Sequence, residues 1–281
     1  GGTVSGRLSY ANPNLQQIPA RNKEFGNKIR SLFLPEEGKQ WGSFDYSQQE
    51  PRLVAHYSTA IGQQLDGSEE FIKAYQDESA DFHQIVADMA QISRTQAKTI
   101  NLGLFYGMGK NKLSKELGIS KDKAEILLNQ YNSRVPFVKK LAEAVTQSAS
   151  KFGFIRTVKG RKCRFDKWEP MTFGMNQAMN YNEAKANYGN NIRRAFTYKA
   201  LNRLIQGSAA DQAKQAMIDC YNAGFMPMLQ IHDELCFSIY GEDDIIKIKK
   251  EMETCIEDLR VPFKVDIAKG KSWGETHDDD R

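Results

Sequence analysis

Residues 43–54 read SFDYSQQEPRLV, a strand-like run that meets two acids and then turns helical at a proline. Asp45 and Glu50 stand five residues apart, and Pro51 follows the second acid directly. Residues 40–45 have strand character ending at Asp45. From Pro51 the pattern is helical, since proline suits a first helical position where its missing N–H is no loss. The residue before a proline is pushed away from the right-handed helical region, so Glu50 is expected on the bend itself.

Upstream, residues 1–22 are rich in Gly, Asn and Pro and predict an extended loop. Downstream, residues 67–150 show helical periodicity almost throughout, broken by Gly or Ser. FGFIRTVKGRKCRF (152–165) predicts a β-hairpin turning at Gly160, and PMLQIHDELCFSIY a second one with His232 and Asp233 at its tip. Residues 166–192, rich in Asn and Met with little period, are expected to be an irregular insertion. Helices at 193–223 and 243–258 and a last strand, FKVDIA, complete the pattern. Strand, helical block, then hairpins and helices give an α+β class: an antiparallel sheet with an inserted helical subdomain.

A chain of 281 residues suits one large domain or two modest ones. It has no apolar run of membrane-spanning length and no basic-then-apolar leader pattern, so a soluble protein is expected. Cys163, Cys220, Cys236 and Cys255 are scattered without metal-finger spacing, which predicts free thiols in a reducing compartment. The net charge of +4 permits an anionic partner without demanding one.

Three groups of residues carry chemistry. Asp45 and the pair Asp233–Glu234 would meet if their strand ends share a sheet. Carboxylates gathered with no His or Cys cluster suit Mg²⁺, and two such ions serve in-line phosphoryl displacement. Arg94, Lys98, Leu102 and Tyr106 recur every four residues along one helix face, fitting a triphosphate at one end and a base at the other, with His83 as a further phosphate contact. Gly103 and Gly107 in that helix suggest a close approach or a bend. Arg7, Gln17, Asn202 and Gln206 form a polar set whose side chains can donate to minor-groove acceptors. Taken singly, each acid, cation or amide is equally well a solvated turn, a surface stripe or a cap.

In order, the chain holds GRLSYANPNLQQIP (6–19), DYSQQEPR (45–52), RTQAKTINLGLFYG (94–107), QGSAAD (206–211) and QIHDE (230–234). This ordered set resembles the polymerase domain of family A DNA polymerases, the group of bacterial polymerase I and the T-odd phage enzymes. The likeness runs from Gly6 to about Trp273. It implies a right-hand fold without its thumb: palm from 1–62 and 151–281, fingers from 63–150. It implies a template-directed DNA polymerase adding dNTPs to a primer 3′-hydroxyl with two Mg²⁺ ions. Asp45, Asp233 and the Tyr46 backbone carbonyl would hold metal. Lys98 would protonate the leaving pyrophosphate. His83, Arg94, Lys98, Gln48, Glu50, Leu102 and Tyr106 would meet the dNTP, with Glu50 crowding the sugar's 2′ position. Arg7, Gln17, Asn202, Gln206 and His232 would touch primer–template, and Glu234 would sit beside the catalytic centre.

Several positions depart from the family's pattern. Leu102 stands for an aromatic, Gln17 for Asn, Tyr198 for a basic residue, and Gln49 and Pro51 flank Glu50 where Ile and Leu are commoner. With the long 166–192 stretch these lean toward a viral lineage, hence the cytoplasm of a host cell. In the family a thumb, and often a 3′–5′ exonuclease domain, precede the GRLS segment, so a second polypeptide supplying them is expected. Rival readings are a single-subunit RNA polymerase-like enzyme, opposed by Glu50 and Glu234, and a non-catalytic DNA-binding scaffold, opposed by retention of both aspartates, Arg94, Lys98 and Tyr106.

Overall fold

The run that opens the reading is a strand with a partner on each side, and the helix after it begins two residues earlier than the proline suggests. The computed structural model describes residues 3–18, 23–60, 68–76, 81–105, 108–172 and 177–277. In chain order its elements begin with α1 (Lys23–Arg30), β1 (Gln40–Tyr46) and α2 (Gln49–Ala60). A helical series follows: α3 (Ser68–Tyr75), α4 (Phe82–Ala90), α5 (Arg94–Phe105), α6 (Lys110–Leu117), α7 (Lys121–Arg134) and α8 (Pro136–Phe152). Short strands β2 (Phe154–Arg156), β3 (Lys162–Arg164) and β4 (Trp168–Pro170) lead to α9 (Tyr181–Tyr188) and β5 (Ile192–Arg194). The chain continues with α10 (Ala200–Asn222), β6 (Leu229–Ile231), β7 (Glu234–Ile239), α11 (Glu242–Thr254) and β8 (Val265–Gly270).

By contacts the chain divides into two units, residues 1–52 with 208–281, and residues 53–207. The second unit thus takes in residues 151–207, which the resemblance assigned to the palm.

In the first unit, among the described residues, β6, β7, β1 and β8 form an antiparallel sheet in that order. Side chains alternate across a strand, so β1 sends Trp41, Ser43 and Asp45 to one face and Phe44 and Tyr46 to the other. On the first face Trp41 joins Cys236, Leu229, Ile231 and Trp273, and the N-terminal loop covers them with Tyr10, Leu15 and Ile18. On the second, Phe44 meets Phe237 edge-on at 5.5 Å, and the buried Tyr46 hydroxyl donates to the Met252 carbonyl of α11 at 2.7 Å.

Arg52 fixes the junction after β1. Its side chain is 1% exposed, with Nε donating to the Ser47 carbonyl at 3.0 Å and Nη1 to the Pro262 carbonyl at 2.7 Å. Replacing it with methionine keeps the stem but removes the donor from both carbonyls and the charge from a buried side chain. We expect Arg52→Met to lower stability by about 3 kcal/mol in urea unfolding, the range for removing a buried charged donor. An unchanged midpoint would show that these bonds do not hold the junction.

In the second unit the helices end as their sequences ask. Asp81 caps α4 by accepting from the His83 and Gln84 amides at 2.8 and 3.1 Å, and Ser120 caps α7. Phe82, Val86, Ile100, Leu113, Tyr131, Phe137 and Leu141 are buried between helices. The hairpin at 154–164 forms as expected, with the Gly160 amide closing the turn on Thr157 at 2.8 Å.

Four expectations need correction. Glu50 lies in the first turn of α2 rather than on a bend; the bend is at Ser47–Gln48, where Gln48 takes φ +53. Pro51 is tolerated in that first turn, where amides have no intrahelical acceptor. Residues 166–192 contain β4, α9 and the start of β5 rather than irregular chain. Strands of three residues are too short to show a period, and α9 buries only Ala184, so neither left a pattern to read. The helix expected from 193 begins at Ala200, because Arg193 and Arg194 pair with β4 instead. The helix expected over 243–258 runs over Glu242–Thr254. Helix α1 was not foreseen.

Candidate functional site

Within the sheet unit, pairing brings the predicted acids together. Asp45 lies opposite Glu234 in the β1–β7 register and opposite Asp266 in the β1–β8 register. The Tyr46 amide donates to the Asp233 carbonyl at 3.3 Å, which sets Asp233 at the end of β1. The turn carrying it is held tightly. His232 adopts φ +54, a left-handed conformation costly for a non-glycine residue, and the Gln230 side-chain amide donates to its carbonyl at 2.6 Å.

Burial pushes the Asp233 carboxyl above its ordinary range; its own backbone N–H, His232 and Arg7 pull it back, while Glu234 adds to the rise. Glu50 is likewise raised by burial, with Arg7 opposing and Asp233 contributing to the rise. Arg7, expected at primer–template, forms an ion pair with Glu50. Its pairing fixes Glu50 in the first turn of α2. Arg7, Gln49, Lys214, Gln230 and His232 line one crevice floored by Ala209, Ala210 and Ala213 of α10. Glu234 faces inward: its Oε1 accepts from the Trp273 indole at 3.3 Å and from Cys236 at 3.3 Å. Gln17 is exposed in a short 3₁₀ turn over Leu15–Gln17.

The donor set fits a hard divalent cation. Among the described residues no three His, Cys, Asp or Glu side chains stand together as ligands. A cation at Asp45 and Asp233 would therefore draw its remaining ligands from backbone oxygen, water and substrate, which is the habit of Mg²⁺ rather than of Zn²⁺. The buried, raised carboxyl of Asp233 is the kind of group such a charge relieves.

Within the helical unit, α5 presents Arg94 and Lys98, both exposed. Arg94 is engaged by Asp81, with Nη2 and Nε at 2.6 and 3.0 Å from Oδ2. Burial works against the charge on Asp81, but Arg94 and the α4 amides hold its carboxyl below the usual range. His83 is held by a relay. The buried Tyr131 hydroxyl donates to Asn101 Oδ1, and Asn101 Nδ2 lies 3.2 Å from His83 Nδ1. With the amide donating, Nδ1 must accept, so the proton sits on Nε2. Burial lowers the His83 pKa and keeps the ring neutral at pH 7. Asn202 and Gln206 lie one turn apart on α10, and Asn202 Nδ2 is buried with no hydrogen-bond partner.

Leu102 lies within α5, but its side chain and the whole of Tyr106 and Gly107 are outside the described residues. At Gly103 the close approach is the chain's own: a Cβ would meet Met108 Sδ at 2.7 Å. Sequence reading missed Asp81, Asn101 and Tyr131. Asp81 was findable, because an acid just before a helix with Gln84 three residues on is a capping signature. The pairing of Asn101 with Tyr131 has no local signal.

A sheet gathering carboxylates at one strand end, together with a unit carrying a cationic helix, is the equipment of a nucleotidyl-transferring polymerase fold. The sequence model of DNA polymerase family A matches residues 1–275. The chain belongs to DNA polymerase family A. It is 37% identical to a DNA-directed DNA polymerase of Pseudomonas phage M6, over 98% of this chain and 44% of that one. It is 32% identical to the thermostable DNA polymerase I of Thermus aquaticus, over 96% of this chain and 31% of that one. Among solved structures it resembles the POL domain of Pol1 from M. smegmatis in complex with DNA primer-template and dNTP, with TM-score 0.76 and 31% identity, covering 98% of this chain and 47% of that one. The chain thus spans less than half the length of these relatives.

Proposed function

We propose that this chain is the catalytic portion of a template-directed DNA polymerase, extending a primer 3′-hydroxyl with dNTPs. The observation that carries the reading is the meeting of Asp45 and Asp233, from distant segments, at one end of the β1–β7 pair. Asp45, Asp233 and the Tyr46 carbonyl would hold two Mg²⁺ ions. When bound, such ions lower the pKa of the attacking hydroxyl and neutralise charge on the phosphate oxygens.

The chain's own residues do the rest. Glu50, tethered by Arg7, stands where a sugar 2′-hydroxyl would have to enter, with Gln48 beside it. Arg94 and the Nε2–H of His83 bind phosphate oxygens, and Lys98 delivers a proton to the departing pyrophosphate. The resemblance assigns Leu102 and Tyr106 to the sugar and nascent pair. Asn202, Gln206, Gln17 and His232 would donate to groove edges of primer–template; the unpartnered Asn202 amide supports this. Palm for the sheet unit and fingers for the α3–α8 helices are the corresponding names. The phage relative supports a viral lineage and action in a host cytoplasm.

Primer extension with dNTPs and Mg²⁺, followed by nucleotide, tests the reading. Template-directed addition is expected; none under any salt or divalent cation would sink it. The relay to His83 gives a finer check. Tyr131→Phe removes the bond to Asn101 and frees the ring, so the KM for dNTP is expected to rise about fivefold with kcat within twofold, consistent with roughly 1 kcal/mol for one hydrogen bond. A fall in kcat alone would place the relay elsewhere in the cycle.

A further inference from the structure

We infer that the surface built by the end of α8, the β2–β3 hairpin and the β4–α9–β5 insertion is a binding platform for single-stranded DNA. Residues 151–199 hold eleven Lys and Arg against three acids, a net of +8 in a chain whose net is +4. One of those acids, Glu169, is already neutralised by Arg193 at 2.8 Å. The rest of the chain is therefore net negative, and the basic charge is concentrated here.

The charge is interleaved with rings. Lys151 lies over Phe152 at 5.2 Å from the ring centre, and Lys162 and Arg156 lie over Phe154 at 4.6 and 5.4 Å. Arg194 stacks on Trp168 at 4.7 Å, and Trp168 meets Tyr181 edge-on at 5.0 Å. Phe152 is 57% exposed and Tyr181 48%, so each offers ring surface to solvent.

Gly153 caps α8 at φ +75, and a Cβ there would meet the Arg194 guanidinium at 2.6 Å. That guanidinium donates to the Phe165 carbonyl at 3.0 Å, while the Phe165 amide bonds Gly153. Helix end, first hairpin and second hairpin are therefore joined at one point, with rings on both sides of it.

Singly exposed aromatics are ordinary. Two exposed rings within a field of +8 are a different matter, because cations serve the phosphates and ring faces serve bases. A duplex keeps its base faces stacked and leaves such rings idle; a single strand does not. The binding reads out without catalysis, so its failure and that of the polymerase reading are distinguishable.

The test is fluorescence anisotropy with a labelled twenty-nucleotide oligo-dT. Phe152→Ala with Tyr181→Ala is expected to weaken binding about thirtyfold, within the range for two base–ring contacts. Lys151→Ala, Lys159→Ala and Lys162→Ala together should flatten the salt dependence by about two ions. Incorporation of one nucleotide on a primer–template with a one-base overhang should stay within twofold for both variants. A twenty-base template overhang tests the source. If it tightens binding for the wild type alone, the platform holds template; if only free oligo-dT responds, it holds a displaced or free strand. Wild-type protein that does not bind oligo-dT overturns the proposal. So does an abasic strand of equal length binding as tightly as oligo-dT, which marks a site for any polyanion. Circular dichroism melting confirms that the variants, all at exposed positions, remain folded.

Discussion

Asp233→Asn is expected to reduce primer extension by about three orders of magnitude or more, a loss of roughly 4 kcal/mol in transition-state stabilisation. The same substitution should raise, not lower, the melting temperature in metal-free buffer. The reasoning is electrostatic. Burial lifts the folded-state pKa of Asp233 above its unfolded value of 3.8. For a carboxyl shifted upward, the unfolded chain releases its proton first, so stability falls as pH rises through the window between the two values. At neutral pH the buried carboxylate is a net cost, and an isosteric amide removes it. Mg²⁺ should then raise the melting temperature of the wild type and leave Asp233→Asn unmoved. Loss of activity together with a lower melting temperature would indicate damage to the hairpin instead. Retained extension would remove Asp233 from the mechanism.

Glu50→Ala is expected to lower discrimination against rNTPs by about a hundredfold, or roughly 2.7 kcal/mol, while dNTP incorporation falls far less. The carboxyl is poorly placed to yield. Its side chain is 19% exposed, it sits in the first turn of a helix, and Arg7 holds it by an ion pair. A 2′-hydroxyl entering there would meet a fixed wall and could not bond without displacing Arg7. Arg7→Ala should relax selectivity part of the way, because it frees the carboxyl without removing it. Burial already raises the Glu50 pKa and Arg7 opposes that rise, so Arg7→Ala should push it further up. On acidification, selectivity would then be lost at a higher pH than in a protein that keeps Arg7. Single-turnover incorporation of matched dNTP and rNTP pairs measures all of this. Unchanged discrimination in Glu50→Ala would undo the assignment.

Much of the sheet was legible because strands paired over both faces leave a strong local pattern. FDY followed by a polar turn and a proline marked the end of β1, and QIHDELCF marked a hairpin whose tip must lie at a sheet end. The bend at Glu50 was misplaced by two residues because the bias against a helical residue before proline is weak in a first turn. The insertion escaped because its order comes from contacts between rings and cations, such as Arg194 on Trp168, and not from a period. The meeting of Asp45 and Asp233 at one strand end was legible, because both stand where a strand-like run stops. Side-chain partners that come from another element were not legible. Nothing in the sequence near Arg7 or Arg94 announces that they hold Glu50 and Asp81.

The central place of β1 also governs how the chain can change in length. It is bonded to β7 on one side and β8 on the other, residue by residue from Trp41 to Asp45. Deleting one residue between Trp41 and Asp45 would reverse the alternation on one side of the gap, so that either Asp45 turns to the opposite face or Trp41 leaves its cluster. No repair short of a matching deletion in both neighbours would restore it. The segment between β3 and α10 is under less constraint of register, since among the described residues β4 and β5 pair with each other and not with the four-stranded sheet. Changes of length are therefore tolerated there far better than in β1, so the fold can lengthen one surface while Asp45 keeps its register with Glu234 and Asp266.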